Sequence, residues 1–220
     1  MHTTGRSFGL TMCVTELSLD GLPEELVGKC QLPDRSQPTV LLPRVVKVEA
    51  NLLRYPLFAL HTKGLKTLDG IECSGTVARD GQTHDFTFRA TRNTSTLYPG
   101  PLARAAHLAI LSLATEHGLP IENPIPWTWG GLCRRMGVSY CGKMMQDLKR
   151  SIQSTAGLLI TSHSALYSKP DRRLIQTRDD ALHLYERVAF AGTKLPDGTT
   201  ADANYVWFAD WYIQNLNAMV

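Results

Sequence analysis

The segment CGKMMQDLKRSIQSTAG, residues 141–157, restricts the possible folds of this chain more than any other. Met144, Leu148 and Ile152 recur four residues apart, which predicts a helix with an apolar stripe facing a core. The opposite side carries basic and amide side chains, namely Lys143, Gln146, Arg150 and Gln153, with Lys149 at its edge. The fold must therefore cover one side of this helix and leave a polar side available.

The residues before this segment predict two further helices. GPLARAAHLAILSLATEHG begins with Pro101, which suits a first helical turn, and ends at Gly118. PWTWGGLCRRMG predicts a short helix from about Trp129 to Met136, and the turn GVSYCG leads into the basic helix. Two short helices separated by a tight, glycine-containing turn form a helix-turn-helix arrangement.

Two β-rich segments lie on either side of these helices. Residues 70–91 contain two β-rich runs around the turn RDGQ and predict a hairpin. Residues 157–177 predict a second hairpin whose turn lies at Ser168 to Asp171, and ALHLYERVAF predicts a further strand. Helix, helix-turn-helix and hairpin occur here in the order of a winged helix. The sequence therefore predicts an α+β fold in which the tip of the second hairpin is the wing.

The two ends of the chain differ in their sequence patterns. Residues 1–45 contain closely spaced prolines and no periodic pattern, which predicts an irregular arm before a winged-helix domain at 46–220. The segment NYVWFADWYIQNLNAMV predicts a connecting helix at 204–218. Its aromatic residues are expected to dock onto the same domain or onto a partner domain.

Positive charge is concentrated in the middle of the chain. The whole chain has a net charge of +3, but residues 121–175 hold eight lysines and arginines against three carboxylates, a net +5. A basic segment in an otherwise slightly acidic chain is typical of a phosphate-facing surface. A solvated charged face gives the same balance.

The polar face of the 142–156 helix suits DNA recognition. Lysine and arginine can pair with guanine O6 and N7 in the major groove, and glutamine can pair with adenine N6 and N7. Cations at the end of the preceding helix and at the wing tip are expected to contact phosphates, although the helix dipole and protection of a hairpin edge also favour them. The predicted DNA-binding residues are Arg134, Arg135, Lys143, Gln146, Lys149, Arg150, Gln153, Lys169, Arg172 and Arg173.

The sequence lacks the common signatures of enzymes and cofactor sites. It contains no P-loop, no dinucleotide-binding glycine fingerprint and no G-x-S-x-G motif. Its seven histidines lack metal-ligand spacing and its five cysteines form no C-x-x-C pair. We expect no catalytic residues, cofactor or metal. The absence of an 18-residue apolar run and of a convincing signal peptide predicts a cytoplasmic protein without a membrane partner.

Three segments in this order resemble a known family. NLLRYPLFAL (51–60), GKMMQDLKRSIQSTAGLLITS (142–162) and LPDGTTADANYVWFADWYIQNLN (195–217) are similar to segments of plasmid replication initiators of the winged-helix type, specifically the replication initiator protein A family. The resemblance extends over about 170 residues and matches the first winged-helix domain of such proteins.

This resemblance implies a function in replication. Such initiators bind repeated origin sequences in double-stranded DNA, often form homodimers that repress their own synthesis, and recruit host replication proteins of the bacterial cytoplasm without a catalytic step. Two alternatives remain open from the residues. One is a winged-helix transcriptional regulator that uses the same surface. The other is a protein-interaction domain whose partner surface is the aromatic C-terminal helix.

Overall fold

The computed structural model describes residues 46–79, 81–177 and 181–218, so the predicted arm at 1–45 lies outside the described residues. These residues form an α+β fold with five helices and seven strands. The helices are α1 (Ala50–Arg54), α2 (Pro101–His117), α3 (Trp129–Arg135), α4 (Gly142–Ala156) and α5 (Asp210–Asn217). The strands are β1 (Gly70–Arg79), β2 (Gln82–Thr91), β3 (Ile125–Trp127), β4 (Leu159–Ser168), β5 (Arg173–Gln176), β6 (Tyr185–Ala189) and β7 (Asn204–Phe208).

Helices α2, α3 and α4 confirm the three helices predicted around the helix-turn-helix. Helix α2 begins at Pro101 and ends before Gly118. Helix α3 begins after Thr128, whose side chain accepts a hydrogen bond of 3.1 Å from the backbone N–H of Gly131. Gly137 follows α3 and has a φ of 67°, a backbone conformation that favours glycine.

Both predicted hairpins are present and belong to one antiparallel sheet. Its strand order is β1–β2–β4–β5, and β2 joins β4 by pairing Thr87–Thr91 with Leu159–His163. Phe88 and Ala90 of β2 are fully buried, as the alternation of apolar and polar residues predicts. Among the described residues, no strand pairs with the outer edge of β1.

A second antiparallel sheet changes the interpretation of the wing. Its order is β3–β7–β6, so the short strand between α2 and α3 pairs with β7. Helix α4 packs against α2 and β6. The hairpin that adjoins the helix-turn-helix is therefore β6–β7, whereas the predicted wing, β4–β5, belongs to the other sheet. Sequence order alone does not distinguish two hairpins that both follow α4.

The prediction of a connecting helix at 204–218 is wrong for residues 204–208. Asn204, Val206 and Phe208 are buried while the residues between them are half-buried, which is the period of a strand. These residues form β7, and the helix α5 covers only Asp210–Asn217. The aromatic surface does dock inward, because Phe208 and Tyr212 are completely buried.

A buried histidine joins three of these elements. The ring nitrogens of His107, in α2, lie 2.9 Å from the hydroxyl oxygens of Tyr185 in β6 and Tyr212 in α5. Burial lowers the pKa of His107 to about 3, so the ring is neutral at pH 7. A neutral imidazole has one N–H donor and one acceptor nitrogen, and each finds a tyrosine hydroxyl here.

The substitution Tyr212→Phe tests this histidine contact. It leaves one ring nitrogen of His107 buried without a partner, and we expect a loss of about 1–3 kcal/mol in the free energy of unfolding. Urea unfolding followed by tryptophan fluorescence measures this loss. The matched control is Tyr205→Phe, which removes a surface hydroxyl bonded to Asp202 and should cost less than about 0.5 kcal/mol. Equal stability of the two variants would contradict the assignment.

A second buried network holds the β4–β5 tip. Glu49, which is 2% exposed, accepts hydrogen bonds from the side-chain amides of Asn51 and Asn215 at 2.7 and 3.2 Å. Both amides also donate to the backbone oxygen of Tyr167, at the end of β4. Burial raises the pKa of Glu49 to about 7, despite these hydrogen bonds. The tip is thus anchored to residues of α1 and α5.

Glu49 predicts a pH-dependent stability. Because its pKa is about 7 in the folded chain and near 4.5 when unfolded, its contribution is greatest below pH 4.5 and falls as the pH rises to about 7. Each pKa unit is worth about 1.4 kcal/mol. The buried His107 acts in the opposite direction between pH 3 and 6.5, so wild type alone does not isolate the effect.

The variant Glu49→Gln isolates it. We expect the free energy of unfolding of this variant, minus that of wild type, to rise between pH 4.5 and 7 and then level off. Urea titrations at unit pH steps measure this difference. The control Glu122→Gln removes the same charge at an exposed position. A difference for Glu49→Gln that does not change with pH would refute the expectation.

Candidate nucleic-acid interface

Helix α4 is seated by its apolar stripe and leaves its polar side exposed. Met144, Leu148 and Ile152 are 8%, 0% and 1% exposed and pack into the core. The predicted reading residues are all exposed on the other side, namely Lys143, Gln146, Lys149, Arg150 and Gln153. The structure therefore brings these five side chains together on one helix face.

One acidic residue lies within this face. The carboxylate of Asp147 is 3.6 Å from the Lys143 ammonium and 3.4 Å from the Arg150 guanidinium. Both cations are about three-quarters exposed, and surface ion pairs of this kind contribute at most about 1 kcal/mol. A phosphate or a guanine edge can replace Asp147 as their partner at little cost.

Lysine 149 is positioned by an aromatic stack. Its ammonium nitrogen lies 5.0 Å from the centre of the ring of Phe190, the residue that follows β6. Phe190 stacks on Trp129 of α3 with a centroid distance of 5.7 Å, and Trp129 meets the buried Trp127 edge-on. Trp127 is buried in the core, and these contacts attach α4 to α3 and to the β6–β7 hairpin.

The two arginines at the end of α3 have different environments, although the sequence analysis predicts both as DNA-binding residues. Arg134 is exposed. Arg135 is 8% exposed and makes a bidentate pair with Glu116 of α2, and it also donates to the Ser112 hydroxyl at 3.0 Å. We therefore withdraw Arg135 from the predicted DNA surface, because its guanidinium already has buried partners within the fold. No local pattern predicts this contact, because Glu116 and Ser112 lie 19 and 23 positions before Arg135 in the chain.

The predicted wing tip is exposed and basic but lies apart from α4's packing partners. Lys169, Arg172 and Arg173 are exposed, and Arg173 is 3.8 Å from Asp171. The backbone N–H of Lys169 donates to Asn215 of α5 at 2.9 Å. The side chains are presented by a turn that α1 and α5 hold. In the described part of the chain, the main packing partners of α4 are α2 and β6, and neither β4 nor β5 is among them.

A cleft that the sequence did not reveal adjoins the end of α4. It has a volume of about 350 Å³ and lies between the start of α2, residues 95–98 and the last turns of α4. Arg150 and Gln153 contribute to its wall. The cleft depends on tertiary packing, and no local pattern could have predicted it.

Other kinds of site find less support in the described ranges 46–79, 81–177 and 181–218. No group of three or more histidine, cysteine, aspartate or glutamate side chains there is arranged to hold a metal ion. None of the helices there has the length and apolar character needed to cross a membrane.

Comparisons with known proteins give a distant structural likeness. No family model and no curated protein matches the chain, so a family model does not support the resemblance to replication initiator protein A. The structure is similar to a crystal structure of domains 2 and 3 of RctB, a Vibrio chromosome replication initiator, with 11% identity and a TM-score of 0.48. That match covers 77% of this chain and 60% of the other.

A selenomethionine derivative of the same two domains gives 11% identity and a TM-score of 0.46, over 72% of this chain and 56% of the other. The chain thus spans about three-fifths of the RctB segment. At this identity and TM-score, the likeness does not transfer a function to the chain.

A matched pair of variants at Arg134 and Arg135 tests whether Arg135 stabilises the fold. Arg135→Gln removes a charged partner from Glu116, and we expect a loss of about 2 kcal/mol in the free energy of unfolding. Arg134→Gln changes an exposed side chain and should alter stability by less than about 0.5 kcal/mol. Urea unfolding of both variants decides the matter. If Arg135→Gln were as stable as Arg134→Gln, the contacts of Arg135 with Glu116 would not stabilise the fold, and Arg135 would again be a candidate for the DNA surface.

Proposed function

We propose that this chain is a winged-helix protein that binds double-stranded DNA and places α4 in the major groove. The observation that supports this most strongly is the pair of faces on α4. Its apolar stripe is fully seated in the core, while in the described part of the chain no element covers the five basic and amide side chains on the opposite face. A helix of 15 residues held in this way by a helix-turn-helix is the element that enters a major groove.

The side chains on this face suit two kinds of contact. Gln146 and Gln153 can each pair with an adenine edge, and Lys143 and Arg150 can pair with guanine, each good bidentate contact being worth about 1–3 kcal/mol of discrimination. Arg134 and Lys149 at the sides of the face suit phosphates. The β4–β5 tip, with Lys169, Arg172 and Arg173, is proposed as a separate phosphate-contacting surface.

We propose further that the DNA is a replication origin and that the protein is an initiator acting by binding alone. The sequence resemblance described above supports this part, and it implies origin repeats, host replication proteins and a homodimer as partners. Among residues 46–79, 81–177 and 181–218 no strand pairs with the outer edge of β1, which is ten residues long, and this supports the homodimer, because such an edge can pair with a second copy. A transcriptional regulator would use the same DNA surface, and loss of plasmid maintenance separates the two functions.

The double variant Lys149→Ala/Arg150→Ala tests the role of α4. Both side chains are exposed, so the core stripe of the helix stays intact. We expect weaker DNA binding, because the variant loses the guanine contact of Arg150 and the phosphate contact of Lys149, and a salt dependence of log K that is less steep by about 1, since each phosphate contact contributes about −0.9 to the slope. Fluorescence anisotropy of a labelled duplex at several salt concentrations measures both quantities.

The control removes the same charge elsewhere. Arg54→Ala/Arg89→Ala alters two exposed arginines on α1 and β2, which are not packing partners of α4. It should change the slope far less, and Lys169→Ala/Arg172→Ala in the same assay measures the contribution of the β4–β5 tip. Unchanged affinity and slope in a folded Lys149→Ala/Arg150→Ala variant would reject α4 as the DNA-binding element and favour a protein-interaction domain.

A further inference from the structure

Tyr140 is an exposed aromatic residue at the entrance to α4. It lies in the turn between α3 and α4, immediately before Cys141, the residue that precedes the first turn of α4. The residue is 62% exposed, whereas Val138 and Cys141 on either side pack against the core. The turn is therefore attached to the protein on both sides of Tyr140, and the tyrosine projects between these attachments.

Backbone hydrogen bonds fix the position of this turn. The N–H groups of Gly137 and Val138 donate to the carbonyl oxygens of Arg134 and Cys133, at 3.2 and 3.0 Å. On the far side of Tyr140, the N–H of Met145 donates to the carbonyl oxygen of Cys141 at 2.9 Å. A tyrosine has only two side-chain torsions, so a ring on such a turn can be ordered in a complex at low entropic cost.

The surroundings of Tyr140 are basic. It follows the exposed Arg134 at the end of α3 and precedes the exposed Lys143 in the first turn of α4. If α4 lies in a major groove, the N-terminal residues of the helix are those that contact base edges. Tyr140 then stands at the groove, between Arg134, which suits a phosphate, and Lys143, which suits a guanine edge.

We propose that Tyr140 is a specificity-determining residue whose ring contacts the C5-methyl group of a thymine. This inference rests on the proposed DNA binding through α4. Phosphate contact alone would use the hydroxyl and would leave the ring exposed, at a place where solubility favours a polar residue. The thymine methyl is the apolar feature of the major groove, and an aromatic side chain is apt to cover it.

Replacement of thymine by deoxyuridine tests the contact directly, because it deletes only the methyl group. A duplex is selected from a random library with the full chain, and its thymines are then replaced one at a time. We expect one position at which the wild-type chain loses about fourfold in affinity, the amount that corresponds to burial of one methyl group. Tyr140→Ala should bind the unmodified duplex more weakly and be insensitive to the replacement at that position.

The variant Tyr140→Phe separates the ring from the hydroxyl. It should retain both the affinity and the sensitivity to deoxyuridine, since the ring makes the contact. Tyr140 is exposed, so both variants are expected to fold, and circular dichroism and urea unfolding check this. A double-mutant cycle that combines Tyr140→Ala with the replacement of thymine by deoxyuridine gives the coupling free energy between the ring and the methyl group.

The outcomes distinguish this inference from the proposed function. If Tyr140→Ala retains wild-type affinity, or loses affinity but keeps the same response at every deoxyuridine position, Tyr140 does not contact a thymine methyl. An equal loss in Tyr140→Phe and Tyr140→Ala also overturns the inference, because it assigns the contact to the hydroxyl. In all these cases the effect of Lys149→Ala/Arg150→Ala on binding still stands. If that double variant binds DNA as wild type does, the proposed function fails, and the inference fails with it.

Discussion

The position of α2 depends on one buried histidine. His107 can be neutral and fully buried only because two tyrosine hydroxyls, from β6 and α5, satisfy its two ring nitrogens. The contact therefore joins the long central helix to the second sheet and to the C-terminal helix at one point. The same helix holds α3 through the pair between Arg135 and Glu116, and it packs directly against α4. The orientation of α4 follows from α2.

This arrangement explains how a small helix can present a basic face. The apolar stripe of α4 is covered by α2 and β6, and the cation–π contact of Lys149 with Phe190 adds a link to the β6–β7 hairpin. Because the helix is firmly held, the side chains of these cations lose conformational freedom when they meet a phosphate or a base, but the backbone does not. By contrast, the β4–β5 tip is fixed through Glu49 and Asn215, so its position depends on α1 and α5.

Features set by local periodicity were predictable from the sequence. The stripe of Met144, Leu148 and Ile152 gave α4 and its exposed face, and the turn and cap residues gave α2 and α3. Features set by distant contacts were not. The burial of Arg135 depends on Glu116, and the pairing of β3 with β7 joins residues about 80 positions apart. The aromatic residues near 207–212 fit a helical pattern as well as an alternating one, so local periodicity does not distinguish β7 from a helix. The DNA-contact roles of the exposed residues remain predictions.

The most direct test of the account is the salt dependence of DNA binding by the intact chain. Anisotropy of a labelled duplex, titrated with residues 1–220 at several salt concentrations, gives log K against log salt concentration. If Arg134 and Lys149 at the sides of the α4 face contact phosphates, the slope should be about −2 or steeper, at about −0.9 for each contact. A slope near zero, or no binding at low salt, would contradict the central claim that this face binds DNA.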